Sequence, residues 1–370
     1  ARRRGIPMLS RAELLGQLMK NYDVPVAISG THGKTTTTSM LSHILLAAKK
    51  DPTISVGGIL KAIGGNIRVG SSELFVTEAC EYTNSFLHFF PKIAVILNID
   101  ADHLDFFKDL DDIRHSFRRF AQLLPADGTL IINKEIEHLE EITDGLSCRV
   151  VTFGLDSSAD YYADQISHDE TGNAAFHVIS HGKDTGRVEL SVKGDHNICN
   201  ALSVIAVADL LDISRDDVCS GLQSFTGTDR RFEYKGDWNG VTVIDDYAHH
   251  PTEIKATLKA ADVYPHREIW CVFQPHTYTR TKALFPEFVE ALSHTDHVVL
   301  ADIYAARETD TLGVSSQMLA EELKKKGCDA YYLPSFEAIE DFLKAHCQKG
   351  DVLITMGAGN VVNIGEALLK

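Results

Sequence analysis

The stretch Ser29-Gly30-Thr31-His32-Gly33-Lys34-Thr35-Thr36-Thr37-Thr38 constrains this chain more than any other. An apolar, β-prone run at residues 24–28 precedes it, interrupted only by Pro25. Residues 39–48 follow with Met40, Leu41, Ile44, Leu45 and Ala48 at helical spacing. A strand, a glycine turn and a helix that opens on Gly-Lys-Thr make a phosphate cradle. The glycines let backbone N–H groups approach an anion, and the helix N-terminus favours its charge. Lys34 then reaches the terminal phosphates, and the Thr35 hydroxyl is placed to ligand Mg²⁺. Only Thr31 and His32 separate the two glycines, so the loop is shorter than the usual G-x-x-x-x-G-K-[ST]. A ligand-free glycine turn before a threonine-rich helix is the bland alternative. The order of strand, glycines, lysine, hydroxyl and helix favours a nucleotide site lined by Gly30, Thr31, His32, Gly33, Lys34, Thr35 and Thr36.

A chain of 370 residues has room for two or three domains and a substantial core. Its formal charge of −16 argues against a nucleic-acid binder, which would carry a basic face. Positive charge for a Mg-nucleotide must then come from a few placed residues. Seven cysteines without a C-x-x-C pair fit thiols in a reducing cytosol, so a cytoplasmic protein is expected. No apolar run reaches the length of a membrane span. Arg2-Arg3-Arg4 has no apolar stretch behind it, unlike a signal peptide.

In chain order, Ser10 caps a short helix carrying Ala12, Leu14, Leu15 and Leu18. Residues 55–70 are glycine-rich and read as loop with short strands. Strands at 74–77 and 93–97 each run into acidic residues, at the strand end where open α/β sheets bind ligands. Residues 111–124 have helical spacing, 130–132 and 148–153 are strands, and 161–166, 174–180 and 188–192 form an antiparallel margin. An apolar helix occupies 194–212. Residues 227–240 lose any sustained apolar period, which sets a boundary near 226 between domains 1–226 and 227–370. Beyond it strands at 241–244, 269–273, 298–301, 330–333 and 352–356 alternate with helices near 252–262, 281–293, 315–326, 335–347 and 361–369. The expected fold is therefore α/β: a central P-loop-type ATPase sheet with a small β-rich margin, followed by a second, doubly wound parallel sheet.

Several segments could carry chemistry. Glu78 ends a strand beside the phosphate loop and is the natural Mg²⁺ partner, with Glu81 expected in solvent. Asp100-Ala101-Asp102-His103-Leu104-Asp105 is denser in ligands than a turn needs and suits a divalent cation. His196 and Asn197, with Asn200, open a helix; an Asn amide can pair with an adenine edge, and capping is the alternative. Arg230-Arg231 at the boundary offers two guanidiniums to phosphate charge. Asp245-Asp246-Tyr247-Ala248-His249-His250-Pro251-Thr252-Glu253 and Gln274-Pro275-His276-Thr277-Tyr278-Thr279-Arg280 leave successive strands of the second sheet. Acids there could hold a ribose, Tyr247 and His249 could line a pocket or pass a proton, and Arg280 could clamp a carboxylate. Gly357-Ala358-Gly359-Asn360 lacks the third glycine and the later acid of a dinucleotide fingerprint, and reads as a close backbone turn.

Taken together, Gly-Thr-His-Gly-Lys-Thr-Thr, Asn98-Ile99-Asp100-Ala101-Asp102-His103, Asp195-His196-Asn197, Arg230-Arg231-Phe232, Asp245-Asp246-Tyr247-Ala248-His249-His250-Pro251 and Phe273-Gln274-Pro275-His276 resemble the Mur ligases of peptidoglycan synthesis, the alanine-adding branch most of all. The resemblance covers nearly the whole chain, in order. It implies a central ATPase domain and a Rossmann-like C-terminal domain, the last two of the family's three, without the N-terminal UDP-binding one. It further implies ATP and Mg²⁺ as cofactors, and UDP-N-acetylmuramate and L-alanine as substrates, joined through an acyl phosphate to give ADP and phosphate. Lys34, Thr35, Glu78 and His103 match the family's phosphate and metal positions, and Asn197 its adenine contact. Arg231, Asp246, Tyr247, His249, His276 and Arg280 match positions near nucleotide and amino acid, with Lys34, His103, Arg231 and His249 nearest the chemistry. Arg118 and Arg119 occupy the region where several sister ligases carry a carbamylated lysine, and Thr277 stands where many relatives have Arg. A recycling ligase that attaches a tripeptide to the same sugar is the rival within the family. A switch or transport ATPase is the rival outside it.

Overall fold

The computed structural model describes residues 8–104, 106–170 and 172–370, so Arg2-Arg3-Arg4 and Asp105 lie outside the described residues. These residues form two compact units: residues 8–168 (105 excepted), 173–192 and 196–228 within the first, and residues 169–172 (171 excepted), 193–195 and 229–370 within the second.

The first unit is built on a ten-stranded sheet. Its strands are β1 (Val24–Ser29), β2 (Thr53–Leu60), β3 (Gly65–Arg68), β4 (Leu74–Glu78), β5 (Ile93–Ile96), β6 (Thr129–Asn133), β7 (Arg149–Gly154), β8 (Tyr161–His168), β9 (Asn173–Ser180) and β10 (Lys183–Lys193). Their spatial order is β10-β9-β8-β7-β6-β5-β1-β4-β2-β3. β1 pairs in parallel with both β4 and β5, and the parallel run continues through β6 and β7. β2 with β3 and β8 with β9 are antiparallel.

A sheet buried on both faces needs apolar residues at successive positions, each serving the opposite layer. β1 does this: Val26 and Ile28 pack under the helices Lys34–Ala47, His196–Leu210 and Arg215–Ser224, while Ala27 faces the layer of Phe86, Phe117 and Phe120. The helix Leu110–Ala121 begins on the Asp109 side chain, has Asp111 and Asp112 in its first turn and ends on Arg118 and Arg119, so its charges oppose the helix dipole. Ser10 caps Arg11–Met19 through a reciprocal box with Glu13.

The second unit carries a six-stranded sheet of β11 (Glu233–Trp238), β12 (Val241–Asp246), β13 (Ile269–Phe273), β14 (His297–Leu300), β15 (Asp329–Tyr332) and β16 (Val352–Met356), in the order β11-β12-β16-β13-β14-β15. Three details differ from the sequence expectation. Residues 233–238 form a strand, antiparallel to β12, where no period was legible. The single helix expected at 281–293 is two, Tyr278–Ala283 and Phe285–Leu292, because Pro286 cannot donate into a continuing helix. The helix Arg215–Ser224 was also not foreseen. Among the described residues no helix is long and apolar enough to cross a membrane.

Candidate active site

In the first unit, chemistry gathers at the C-terminal ends of β1, β4 and β5, where parallel strands leave a crevice. Gly33 caps the helix Lys34–Ala47 at φ +83°, a conformation most side chains resist. A Cβ there would lie 2.9 Å from Asn200 Oδ1, so the loop also needs glycine for close approach. The loop is pinned to the end of β5. The Thr31 N–H donates to the Asn98 carbonyl (3.1 Å), the His32 N–H to Asn98 Oδ1 (2.8 Å) and the Asp100 N–H to Thr31 Oγ1 (2.9 Å). His32 Nε2 lies 3.1 Å from Asp100 Oδ2.

Lys34 Nζ donates to the carbonyls of Gly30 (2.5 Å) and Thr31 (3.0 Å) and to Glu81 Oε2 (2.9 Å). Burial alone would pull its pKa down, yet the nearby charge of Glu81 leaves it raised, so Lys34 is a fixed cation. Glu81 is only 2% exposed, which corrects its expected place in solvent. The 3-10 segment Tyr82–His88 that follows is kinked at Thr83 and Asn84, both at positive φ.

The Thr35 hydroxyl donates to Glu78 Oε2 (3.1 Å), and Glu78 Oε1 accepts the Gly57 N–H (2.5 Å). Thr35 and Glu78, paired by expectation, are therefore in contact. His103, at φ +54°, brings its Nε2 to 3.9 Å from Glu81 Oε1 and 3.8 Å from Asp102 Oδ2, with its ring 4.4 Å from that of Tyr82. Glu81 Oε1 is buried and has no hydrogen-bond partner among the described residues. An orphaned carboxylate oxygen beside a hydroxyl, a second carboxylate and an imidazole suits a hard divalent cation. His196 and Asn197 open the helix behind the loop. Asn197 is buried, and its Oδ1 accepts from Asn200 Nδ2 (2.9 Å), so the amide expected at adenine also braces the residue that touches Gly33.

In the second unit, polar groups gather at the C-terminal ends of β12, β13 and β16. Arg230, offered by the sequence to phosphate, is instead engaged internally. It donates to Asp245 Oδ2 (2.9 Å), the Gly357 carbonyl (2.7 Å) and the Gly359 carbonyl (3.0 Å), fixing the turn after β16. Asp245 is fully buried, accepts the Thr355 hydroxyl at 2.6 Å and has its pKa raised by burial. Asp246 accepts the N–H groups of Phe232 and Ala248 (both 2.7 Å), and burial raises its carboxyl to about 6 against the pull of Arg231. Asp246 thus organises the Arg231 turn with both oxygens. The Arg231 guanidinium carbon lies 5.2 Å from the Tyr247 ring centroid, and its NH1 3.8 Å from Glu253 Oε1.

His249 Nδ1 lies 2.9 Å from the Tyr247 carbonyl, which can only accept, so Nδ1 carries a proton. The rings of Tyr247, His249, His276 and Tyr304 follow one another at 5.4, 6.0 and 5.5 Å. Arg280 NH1 is 3.3 Å from His276 Nδ1. Tyr247, His249, His276 and Arg280, expected from two separate strand ends, therefore form one surface. Tyr304 joins them from the loop after β14 and carried no signal in the sequence.

Two family models match the chain: the Mur ligase middle domain over residues 28–208, and the Mur ligase glutamate ligase domain over 230–359. A UDP-N-acetylmuramate–L-alanine ligase from Agathobacter rectalis is 59% identical over 370 residues, all of this chain and 81% of that protein. The chain belongs to the Mur ligase family. Among solved structures, the UDP-N-acetylmuramate-alanine ligase MurC of Thermotoga maritima matches this Mur ligase with a TM-score of 0.83 at 29% identity, covering 100% of this chain and 80% of that one. The MurF ligase of Thermotoga maritima, solved in complex with ADP, shares the fold with a TM-score of 0.75 at 18% identity, covering 98% and 84%. The Mur ligase family is ATP-dependent.

Proposed function

We propose that this Mur ligase joins L-alanine to the carboxylate of UDP-N-acetylmuramate, at the expense of ATP. What most supports the reading is identity of 59% over all of this chain to a protein of that name, in a chain whose Lys34, Thr35 and Glu81 share one cradle. The first unit binds ATP. The loop N–H groups and Lys34 neutralise the phosphates, which lowers the barrier to attack of the carboxylate oxygen on the γ-phosphorus; the bond to the β–γ bridging oxygen breaks, ADP leaves and an acyl phosphate forms. Thr35, Glu78, Glu81 and His103 would hold Mg²⁺, which when bound would supply charge neutralisation at the transferring phosphoryl group. Asn197, with His196 beside it, is the partner proposed for the base.

The second unit receives the amine. Its nitrogen lone pair forms the amide bond to the acyl carbon, the carbon–oxygen bond to phosphate breaks, and the electron pair leaves with the phosphate. The surplus proton passes to His249. Arg280, with His276, takes the amino-acid carboxylate, and Tyr247 lines the same pocket. The location is the cytoplasm, where ATP is available.

The test is phosphate release from Mg-ATP with UDP-N-acetylmuramate, with and without L-alanine, on this chain and on one extended to the full length of its relatives. Release that requires both substrates supports the ligase. Release indifferent to both refutes it and leaves an ATPase of another purpose.

A further inference from the structure

Gln274 directly follows β13 and is 5% exposed. Its amide oxygen is buried and meets no hydrogen-bond donor among the described residues. Leaving such a carbonyl desolvated and unpaired costs about 1–3 kcal/mol. The oxygen rests on the bare face of Gly359, where a Cβ would lie 2.3 Å from Gln274 Oε1 and 3.0 Å from Tyr304 Cγ. Glycine at 359 is thus what lets the amide and the Tyr304 ring approach together. Nearby donors are already used: the Arg230 guanidinium holds Asp245, Gly357 and Gly359, and the Thr277 N–H donates to the Tyr304 carbonyl. None of these supplies the missing donor.

We propose that Gln274 is the acceptor for the α-amine of the amino-acid substrate. The proposal rests on the ligase reading above. An α-amino acid presents an N–H donor and a carboxylate a short distance apart. The segment after β13 carries both kinds of partner, the orphaned carbonyl of Gln274 and the cationic Arg280 beside His276. A neutral carbonyl is the fitting acceptor for a nucleophilic amine. It orients an N–H bond without stabilising the ammonium form, whereas a carboxylate would hold the proton on the nitrogen and silence its lone pair. Tyr304, stacked on His276 and close to Gly359, stands beside the amide.

The test compares the parent chain with Gln274→Met and Gln274→Glu under the phosphate-release assay, with L-alanine or with hydroxylamine as the amine. Hydroxylamine traps the acyl phosphate chemically and reports the steps before amine binding. Gln274→Met is expected to raise KM for L-alanine on the order of tenfold, as for a lost hydrogen bond to a bound ligand, and to leave the hydroxylamine reaction unchanged. Gln274→Glu is expected to move the pH profile of kcat upward, because its charge retains the ammonium. An unchanged KM for L-alanine in Gln274→Met overturns the proposal. So does an equal loss with both amines, which would mark Gln274 as a support for the turn. If Gln274→Met fails to fold, an unmoved pH profile in Gln274→Glu overturns it. A parent chain that releases phosphate without regard to L-alanine refutes the ligase reading itself, and this proposal with it.

Discussion

Replacing Glu81 by Gln separates the charge of this residue from its shape. In the absence of nucleotide, Glu81 is the counter-ion of Lys34 at 2.9 Å, with the two side chains 2% and 15% exposed. At that distance and an effective dielectric constant of about 20, the attraction is roughly 6 kcal/mol before desolvation is counted. Stripping one partner from a buried pair costs about 3–5 kcal/mol, and the glutamine oxygen returns about 1 kcal/mol as a neutral acceptor. Glu81→Gln should therefore lower unfolding stability by about 3 kcal/mol, measured by urea denaturation of the ligand-free chain.

The same variant should move nucleotide binding in opposite directions with and without metal. In EDTA the phosphates compete with Glu81 for Lys34 and are repelled by its carboxylate. Removing the charge relieves both effects, so metal-free ATP should bind about tenfold tighter by calorimetry. With Mg²⁺ present the orphaned Oε1 becomes a ligand, and its loss should lower turnover by about a hundredfold. A metal-free affinity that stays the same or falls, together with unchanged stability, would refute the account of Glu81 as the charge that holds Lys34.

Three further outcomes are expected. Lys34→Ala removes the phosphate cation and strands Glu81, so ATP turnover should fall by at least about a hundredfold in the phosphate-release assay; near-normal turnover would end the cradle reading. Gly33→Ala forces a Cβ onto a residue at φ +83°, 2.9 Å from Asn200 Oδ1, and should cost about 2 kcal/mol in urea denaturation together with weaker ATP binding. Asp246 binds its proton more tightly folded, at about 6, than unfolded, at 3.8, so its contribution to stability is complete below 3.8 and is lost as pH rises through 6. That window is worth roughly 3 kcal/mol; denaturation of Asp246→Asn from pH 4 to 7 should lack this falling component, and parallel curves for the two proteins would contradict it.

What was legible in the sequence was what depends on local order. The cradle from Gly30 to Thr35 declares itself by a strand, two glycines and a helix start, all within one short stretch. The alternation of strands and helices after residue 241 reflects the double burial of a parallel sheet. Its antiparallel edge strand Glu233–Trp238 did not show, because an edge strand with one solvated face carries polar residues such as Lys235 and Asp237 where central strands carry apolar ones. Glu78 was placed well because its position at the end of a strand follows from the strand itself.

Glu81 and Gln274 were not legible, for a common reason. The character of each is set by desolvation, and desolvation comes from segments remote in sequence. Glu81 stands three residues beyond Glu78 and has the same chemistry. What separates them is the turn through Thr83 and Asn84 and the packing of Lys34 over it, neither of which alters the local pattern. Gln274 looks like one more polar residue among Pro275, His276 and Thr277 until Gly359, from the far end of the chain, presents a face with no side chain and Tyr304 covers the remainder. A motif can name the residue types a site needs. Which acceptor is left without a donor, and so is ready for a ligand, is decided only when the strands that carry those residues are brought side by side.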